Sequence, residues 1–308
     1  MKITSMHNDL VKFWVSLKNK KVRDKERKFI VEGDHLIDEA RKNNLIEYVI
    51  SCVDENAEYF VTKEIMEKIS NQQSISYNVA VVNFIPEDAI NGNILILDNL
   101  QDPGNLGTII RSATAFNINT IILSDDSVDL YNPKVVRATE GMIFNLNIIR
   151  RDLSKIIPVL KNLGYKLIGT DVKRGMDVRN IRKENVAIVI GNEGSGMKNE
   201  TKNMCDEFIN IKMMDTCESL NAGVAAPVTI WEPNMDAHTS YGVANARDTY
   251  GNGDLVAGTG NDPVAYDGIK LGFGTEQGIT LGNANATEAG TYFQAVTPQI
   301  QTEVGFSE

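Results

Sequence analysis

Ile94-Leu95-Ile96-Leu97-Asp98-Asn99-Leu100-Gln101-Asp102-Pro103-Gly104-Asn105-Leu106-Gly107-Thr108-Ile109-Ile110-Arg111 decides the fold class. Four consecutive apolar residues, Ile94 to Leu97, have the pattern of a strand buried on both faces. A short polar turn follows, and Leu106 to Phe116 then carry helical spacing, with Asn105 predicted to cap the helix. A buried strand feeding a helix is the repeating unit of a parallel α/β sheet. In such sheets ligands bind outside the C-terminal ends of the strands. Asn105 and Arg111 fall near that edge, beside the free N–H groups of the helix start. Taken alone, the segment suggests an anion site, against the plainer reading of a capped helix with a solvated arginine.

Working outward, the same alternation continues to about residue 226. Ile121 to Leu123, Leu146 to Ile149, Lys166 to Thr170, Val186 to Ile190 and Phe208 to Ile211 read as strands. Asn132-Pro133 opens a helix, with proline at the first helical position, and another runs from Ser154 to about Gly164. Two further segments carry candidate chemistry. Gly191-Asn192-Glu193-Gly194-Ser195-Gly196-Met197 follows a buried strand. It is not a P-loop, since Met197 stands where the lysine is required, and the dinucleotide pattern fails at Asn199. Its glycines suit a tight turn or the close approach of a flat ligand. Glu218-Ser219-Leu220-Asn221 comes next, with Ser219 predicted to cap a short helix from Leu220 to Ala226.

These three segments together resemble the SpoU (TrmH) family of RNA ribose 2′-O-methyltransferases. The first is similar to the family's N-x-G-x-x-x-R motif, through Asn105, Gly107 and Arg111. The second resembles its G-x-E-G-x-G loop, through Gly191, Glu193, Gly194 and Gly196, and the third its S-L-N motif, Ser219-Leu220-Asn221. The resemblance implies a parallel α/β domain over residues 93–230 whose C-terminal segment forms a trefoil knot. It implies S-adenosylmethionine as cofactor, RNA as substrate and a homodimer, with no metal. Gly191, Ile211, Leu220 and Thr170 are then expected at the cofactor. Arg111, Asn105, Glu193, Ser219 and Asn221 are expected at the reaction centre, where Arg111 positions the hydroxyl or an adjacent phosphate and stabilises the developing alkoxide.

Residues 1–92 read as a small mixed α/β domain. The Phe29-Ile30-Val31-Glu32-Gly33 run is similar to the family's L30e-like RNA-binding domain, which favours ribosomal over transfer RNA as substrate. Lys12, Lys18, Lys20, Lys21, Arg23, Lys25, Arg27 and Lys28 form a basic segment, either a solvated helix face or a surface that tracks phosphates. The overall charge of −10 is concentrated in residues 227–308, with two basic and ten acidic residues, so it does not exclude RNA binding. This stretch, rich in Gly, Thr and Asn, is expected to be a β-rich or flexible tail of unassigned function. No long apolar run predicts a membrane span. The start lacks the apolar core of a signal peptide, and Cys52, Cys205 and Cys217 have neither metal nor disulfide spacing. A cytoplasmic enzyme is therefore expected.

Pro227 departs from the family pattern. A proline there removes a helical hydrogen bond and crowds the Gly223 carbonyl, so the helix is predicted to stop or kink at Ala226 and Val228 to Trp231 to read as strand. That break raises a second possibility, an RNA-binding protein with a damaged site. A third makes the tail an adhesion or structural module.

Overall fold

The computed structural model describes residues 1–71, 76–181, 185–214, 216–217, 219–231, 272–275 and 278–280. It divides into two compact units, Met1–Asn234 and Met235–Glu308. The first contains two sheets.

The N-terminal sheet is built from β1 (Lys2–Ile3), β2 (Lys28–Glu32), β3 (Ile46–Ser51), β4 (Tyr59–Val61) and β5 (Asn78–Asn83), in the order β1-β4-β3-β5-β2. Around it lie α1 (Asp9–Ser16), α2 (Lys20–Glu26), α3 (Asp34–Lys42) and α4 (Lys63–Ile69). Period-two alternation sends neighbouring residues of a strand to opposite faces. Val79 and Val81 accordingly pack with Trp14, Ile65 and Met66. Ala80 and Val82 join the core shared with the second sheet.

The second sheet is parallel throughout. Its strands are β6 (Ile94–Leu97), β7 (Thr120–Ser124), β8 (Asn147–Arg151), β9 (Lys166–Thr170), β10 (Met176–Asp177), β11 (Val186–Ile190) and β12 (Glu207–Asn210), in the order β10-β12-β9-β11-β6-β7-β8. The helices are α5 (Pro103–Ala115), α6 (Pro133–Ala138), α7 (Leu153–Asn162), α8 (Asn199–Met204) and α9 (Ala222–Trp231). Ile94 and Ile96 face a core with Ile157 and Leu160 of α7. Leu95 and Leu97 face the opposite core with Leu106, Ile109 and Ile110 of α5. The strand is thus buried on both sides, as its unbroken apolar run requires, and the parallel α/β class expected from the sequence is observed.

The two sheets share a core. Phe29 of β2 packs against Tyr131 and Phe144 of the parallel domain, with ring centroids 4.7 and 6.3 Å away. Tyr131 also stacks on Phe84 at 3.8 Å and accepts a hydrogen bond from Ile85 N. Burial pushes the Tyr131 phenol up to about 12. Beside this cluster, the buried Arg23 guanidinium pairs with Asp129 and donates to the carbonyls of Leu17 and Lys18.

Several local expectations are corrected. α9 neither stops nor turns into a strand at Pro227; it runs on to Trp231. Tertiary burial outweighs the proline penalty, because Ala222, Gly223, Ala226, Thr229 and Ile230 are buried and the helix packs along α5. Thr229 Oγ1 also donates to Ala225 O at 2.8 Å. The second possibility, a damaged site, thereby loses its structural basis. α5 begins earlier than expected and is capped by Asp102, whose carboxylate accepts from Asn105 N at 2.7 Å. α9 is opened by Asn221, whose side-chain oxygen accepts from Gly223 N at 2.8 Å, rather than by Ser219. Both corrections free a polar side chain from a capping role.

In the second unit the described residues form a hairpin, β13 (Gly272–Thr275) antiparallel to β14 (Gly278–Thr280). The remaining expectations for residues 232–308 lie outside the described residues.

Candidate active site

The site grows from the C-terminal ends of β6, β9 and β11. Asp98, fully buried at the end of β6, accepts Lys198 N on Oδ2 at 2.8 Å, while its own N–H donates to Ile190 O. These bonds tie the start of the first loop to both ends of the glycine loop. Asn192 adds a third tie, its Nδ2 donating to Asn99 O at 2.9 Å. Within the loop, Asn192 and Gly196 exchange backbone hydrogen bonds at 3.0 Å each way. Asn192 Oδ1 accepts from Gly194 N and Ser195 N at 2.9 and 3.1 Å. The loop is thus folded around one asparagine side chain. Gly191 is required by space: a Cβ there would stand 2.2 Å from Met197 N and 2.3 Å from the Gly196 carbonyl carbon.

Beyond β12, the described residues 211–214, 216–217 and 219–221 form the return to α9, which packs on α5 and β11. This return, the glycine loop and the end of β9 enclose a cavity of about 420 Å³, within the usual range of about 300–1,000 Å³ for small-molecule sites. The four residues expected at a cofactor, Gly191, Ile211, Leu220 and Thr170, all line it, as do Glu193 and Ser219. Thr170 contributes its surface rather than a free donor, since its hydroxyl donates to Val189 O at 3.0 Å.

Asn105 and Asn221 do not line this cavity but lie behind its wall, next to Glu193 and Gly223 respectively. Asn105 Nδ2 donates to Glu193 Oε1 at 2.9 Å, joining the first motif to the second across 88 residues. A Cβ at Gly223 would meet Asn105 Oδ1 at 2.9 Å and Asn221 Oδ1 at 3.0 Å. The third motif therefore comes to the other two through a glycine that allows close approach. Arg111 stands apart: it does not line the cavity, is exposed on α5, and makes no ion pair or hydrogen bond among the described residues. Gly107, the motif's middle position, serves packing, since its missing Cβ would fall 2.3 Å from Ala138 Cβ on α6.

The sequence reading passed over four residues here. Asp98 and Asn192 build the loops. Asp171 and Lys202 add charge to the cavity lining. Burial opposes ionisation of Asp171, but the Lys173 N–H and the nearby Arg174 and Lys202 cations hold its carboxyl below the usual carboxylate range. An asparagine next to glycine is a turn signal in its own right, so Asn192 was within reach of a sequence reading. Among the described residues no group of three or more His, Cys, Asp or Glu is placed to hold a metal ion. No helix among them is long and apolar enough to cross a membrane.

Comparison with known proteins agrees with this geometry. The pattern of the SpoU rRNA methylase family matches residues 92–231, and that of an MRM3-like substrate-binding domain matches residues 8–79. The Bacillus subtilis (strain 168) 23S rRNA (guanosine(2553)-2′-O)-methyltransferase RlmP is 32% identical over 242 residues, which span 74% of this chain and 97% of that protein. Two crystal structures of an rRNA methyltransferase from Sinorhizobium meliloti, one of them with AdoMet bound, are 25% identical. They cover 77% of this chain and 98% of their own, with TM-scores of 0.70 and 0.71.

Proposed function

The chain belongs to the SpoU (TrmH) family of RNA methyltransferases, and from that premise we propose that it transfers a methyl group from S-adenosylmethionine to a ribose 2′-hydroxyl of ribosomal RNA. The observation that carries the reading is a cavity lined by the second and third motifs, to which the first is tied by the hydrogen bond from Asn105 to Glu193. The ribosomal substrate rests on the Bacillus subtilis relative, and the compartment proposed is the cytoplasm.

The residues present fit the cofactor. Gly191 leaves a cradle that any side chain would fill. Ile211, Leu220 and Ala225 offer apolar surface suited to a flat base. Asp171, Glu193, Lys173 and Lys202 give the same cavity both signs of charge, suited to an amino-acid tail. When bound, the cofactor supplies an activated methyl group on a sulfonium. The chain's part is alignment and charge stabilisation, which are the main demands when a poor oxygen nucleophile must attack in line. Asn105, Glu193, Ser219 and Asn221 orient the hydroxyl. Arg111, outside the cavity lining and without a partner among the described residues, belongs to the RNA side of the site. There its permanently charged guanidinium steadies the oxygen or its neighbouring phosphate.

We assign residues 1–92 to RNA binding, residues 93–230 to methyl transfer, and the return through residues 211–221 to the threaded segment of the knot. A homodimer is part of the proposal. α9, which closes the site, leaves Val224 52% and Trp231 39% exposed, an apolar face that a second copy would cover. The test is transfer of labelled methyl from S-adenosylmethionine to total bacterial RNA, followed by digestion to nucleosides. A labelled 2′-O-methyl nucleoside from the ribosomal fraction is the expected outcome. Label confined to transfer RNA, or to a base, overturns the assignment.

A further inference from the structure

Five of the eight basic residues of the 12–28 segment are paired with carboxylates in the folded chain, while Lys18, Lys21 and Arg27 keep their charge without one among the described residues. Lys12, Lys20, Lys25 and Lys28 are paired with Asp9, Asp24, Glu26 and Glu47. Lys18 donates to Ser70 O, Arg23 is buried, and Arg27 lies over the Phe84 ring. Cations outside this segment therefore also bear on the attraction for RNA.

The arginines show where. Among the described residues Arg23, Arg41, Arg151, Arg174 and Arg179 hold carboxylates. Arg150 is spent on four backbone carbonyls, and Arg27 is the one stacked on Phe84. Arg111 and Arg137 alone among them have no such partner, and both are exposed. Both lie within about one turn of the contact between α5 and α6. α5 and α6 touch where Gly107 meets Ala138; Arg111 lies one turn beyond Gly107, and Arg137 precedes Ala138. Lys134, one turn before Arg137, is exposed and likewise unpaired. Lys134 and Arg137 together line a narrow cleft whose other wall is Ile30, Glu32, Leu36 and Asn71 of the N-terminal domain. Glu32, the carboxylate in that cleft, is held to the opposite wall by bonds it accepts from Ser70 and Asn71; it keeps its charge, which Lys134 and Arg137 together outweigh.

We propose that Arg137, with Lys134, is a phosphate-binding site for the RNA strand that runs from the reacting ribose at Arg111 toward the N-terminal domain. An unpaired guanidinium matches phosphate in a forked, bidentate geometry that lysine does not reproduce. The ridge on α6 thus joins the two halves of the RNA surface, and neither residue takes part in the chemistry. The inference rests on the reading of the chain as an RNA methyltransferase.

The experiment uses the full chain and bacterial ribosomal RNA transcribed in vitro, hence unmethylated. RNA affinity is measured as a function of salt, alongside S-adenosylmethionine binding by calorimetry and steady-state transfer. Arg137→Ala with Lys134→Ala is expected to weaken RNA binding roughly tenfold near physiological salt and to lower the salt slope by about two, one per lost phosphate contact. KM for RNA rises with it, while kcat and cofactor binding hold. Arg137→Lys recovers part of the affinity. Lys155→Ala, which removes one charge from α7 on the other face of the sheet, leaves the slope in place. An unchanged slope and KM in the double variant overturn the proposal. A wild type that binds RNA but transfers no methyl overturns the enzymatic reading instead and leaves the slope comparison valid. A wild type that does not bind RNA overturns both.

Discussion

A Cβ at position 191 has nowhere to go, since the backbone of Gly196 and Met197 occupies its place. Gly191→Ala must therefore displace the glycine loop. It is expected to weaken S-adenosylmethionine binding at least tenfold by calorimetry while the far-ultraviolet circular dichroism of the sheet is preserved. An unshifted affinity would mean that the cavity wall is more pliable than its hydrogen bonds indicate. Arg111 is the opposite case, exposed and unattached. Arg111→Ala should leave stability within about 0.5 kcal/mol, as surface substitutions do, and leave cofactor binding intact, while methyl transfer falls below detection. Lost cofactor binding would show that Arg111 supports the fold and not the reaction. The residues proposed for the chemistry were legible in the sequence because motif order and spacing name them. Asp98 was not, because a buried carboxylate takes its meaning from neighbours far along the chain, here Lys198.

At the level of elements, the strands were read well and the helix ends less so. Apolar runs such as Ile94 to Leu97 and Val186 to Ile190 mark buried strands without competition. Helix starts depend on which of several polar side chains wins the cap, and at α5 and α9 Asp102 and Asn221 win over Asn105 and Ser219. α9 is the instructive failure. Its proline was weighed by local propensity alone, whereas the packing of Ala222, Ala226 and Ile230 against the core holds the helix through it. The local cost should still be present. Pro227→Ala restores a donor for the Gly223 carbonyl and is expected to stabilise the protein by about 1–3 kcal/mol, read as a higher thermal midpoint. A lower midpoint would show that the ring's own packing exceeds the hydrogen bond it forfeits.

At the scale of the molecule, the two sheets are held by more than adjacency. The Phe29, Phe84, Tyr131 and Phe144 rings form one cluster, and the Arg23–Asp129 pair, 5% and 14% exposed, lies beside it. None of this was visible beforehand, since Arg23 read as one more cation in a basic segment and Asp129 lies 106 positions away. Asp129→Ala leaves a buried guanidinium without its counter-charge and is expected to cost about 3–5 kcal/mol in denaturant unfolding. The residues of both sheets should still melt in one transition. Two resolved transitions in the wild type would show instead that the shared core does not couple them.

That coupling bears on how a substrate is chosen. A molecule with a fused framework has a fixed gauge: the span from the N-terminal surface, along the α6 ridge, to the pocket wall beside Asn105 cannot stretch to suit its guest. On the proposed path along α6, an RNA whose own folding already sets the ribose at that span is expected to be preferred. Discrimination of this kind resembles a calliper more than a reader, in keeping with the way folded RNA is recognised by shape.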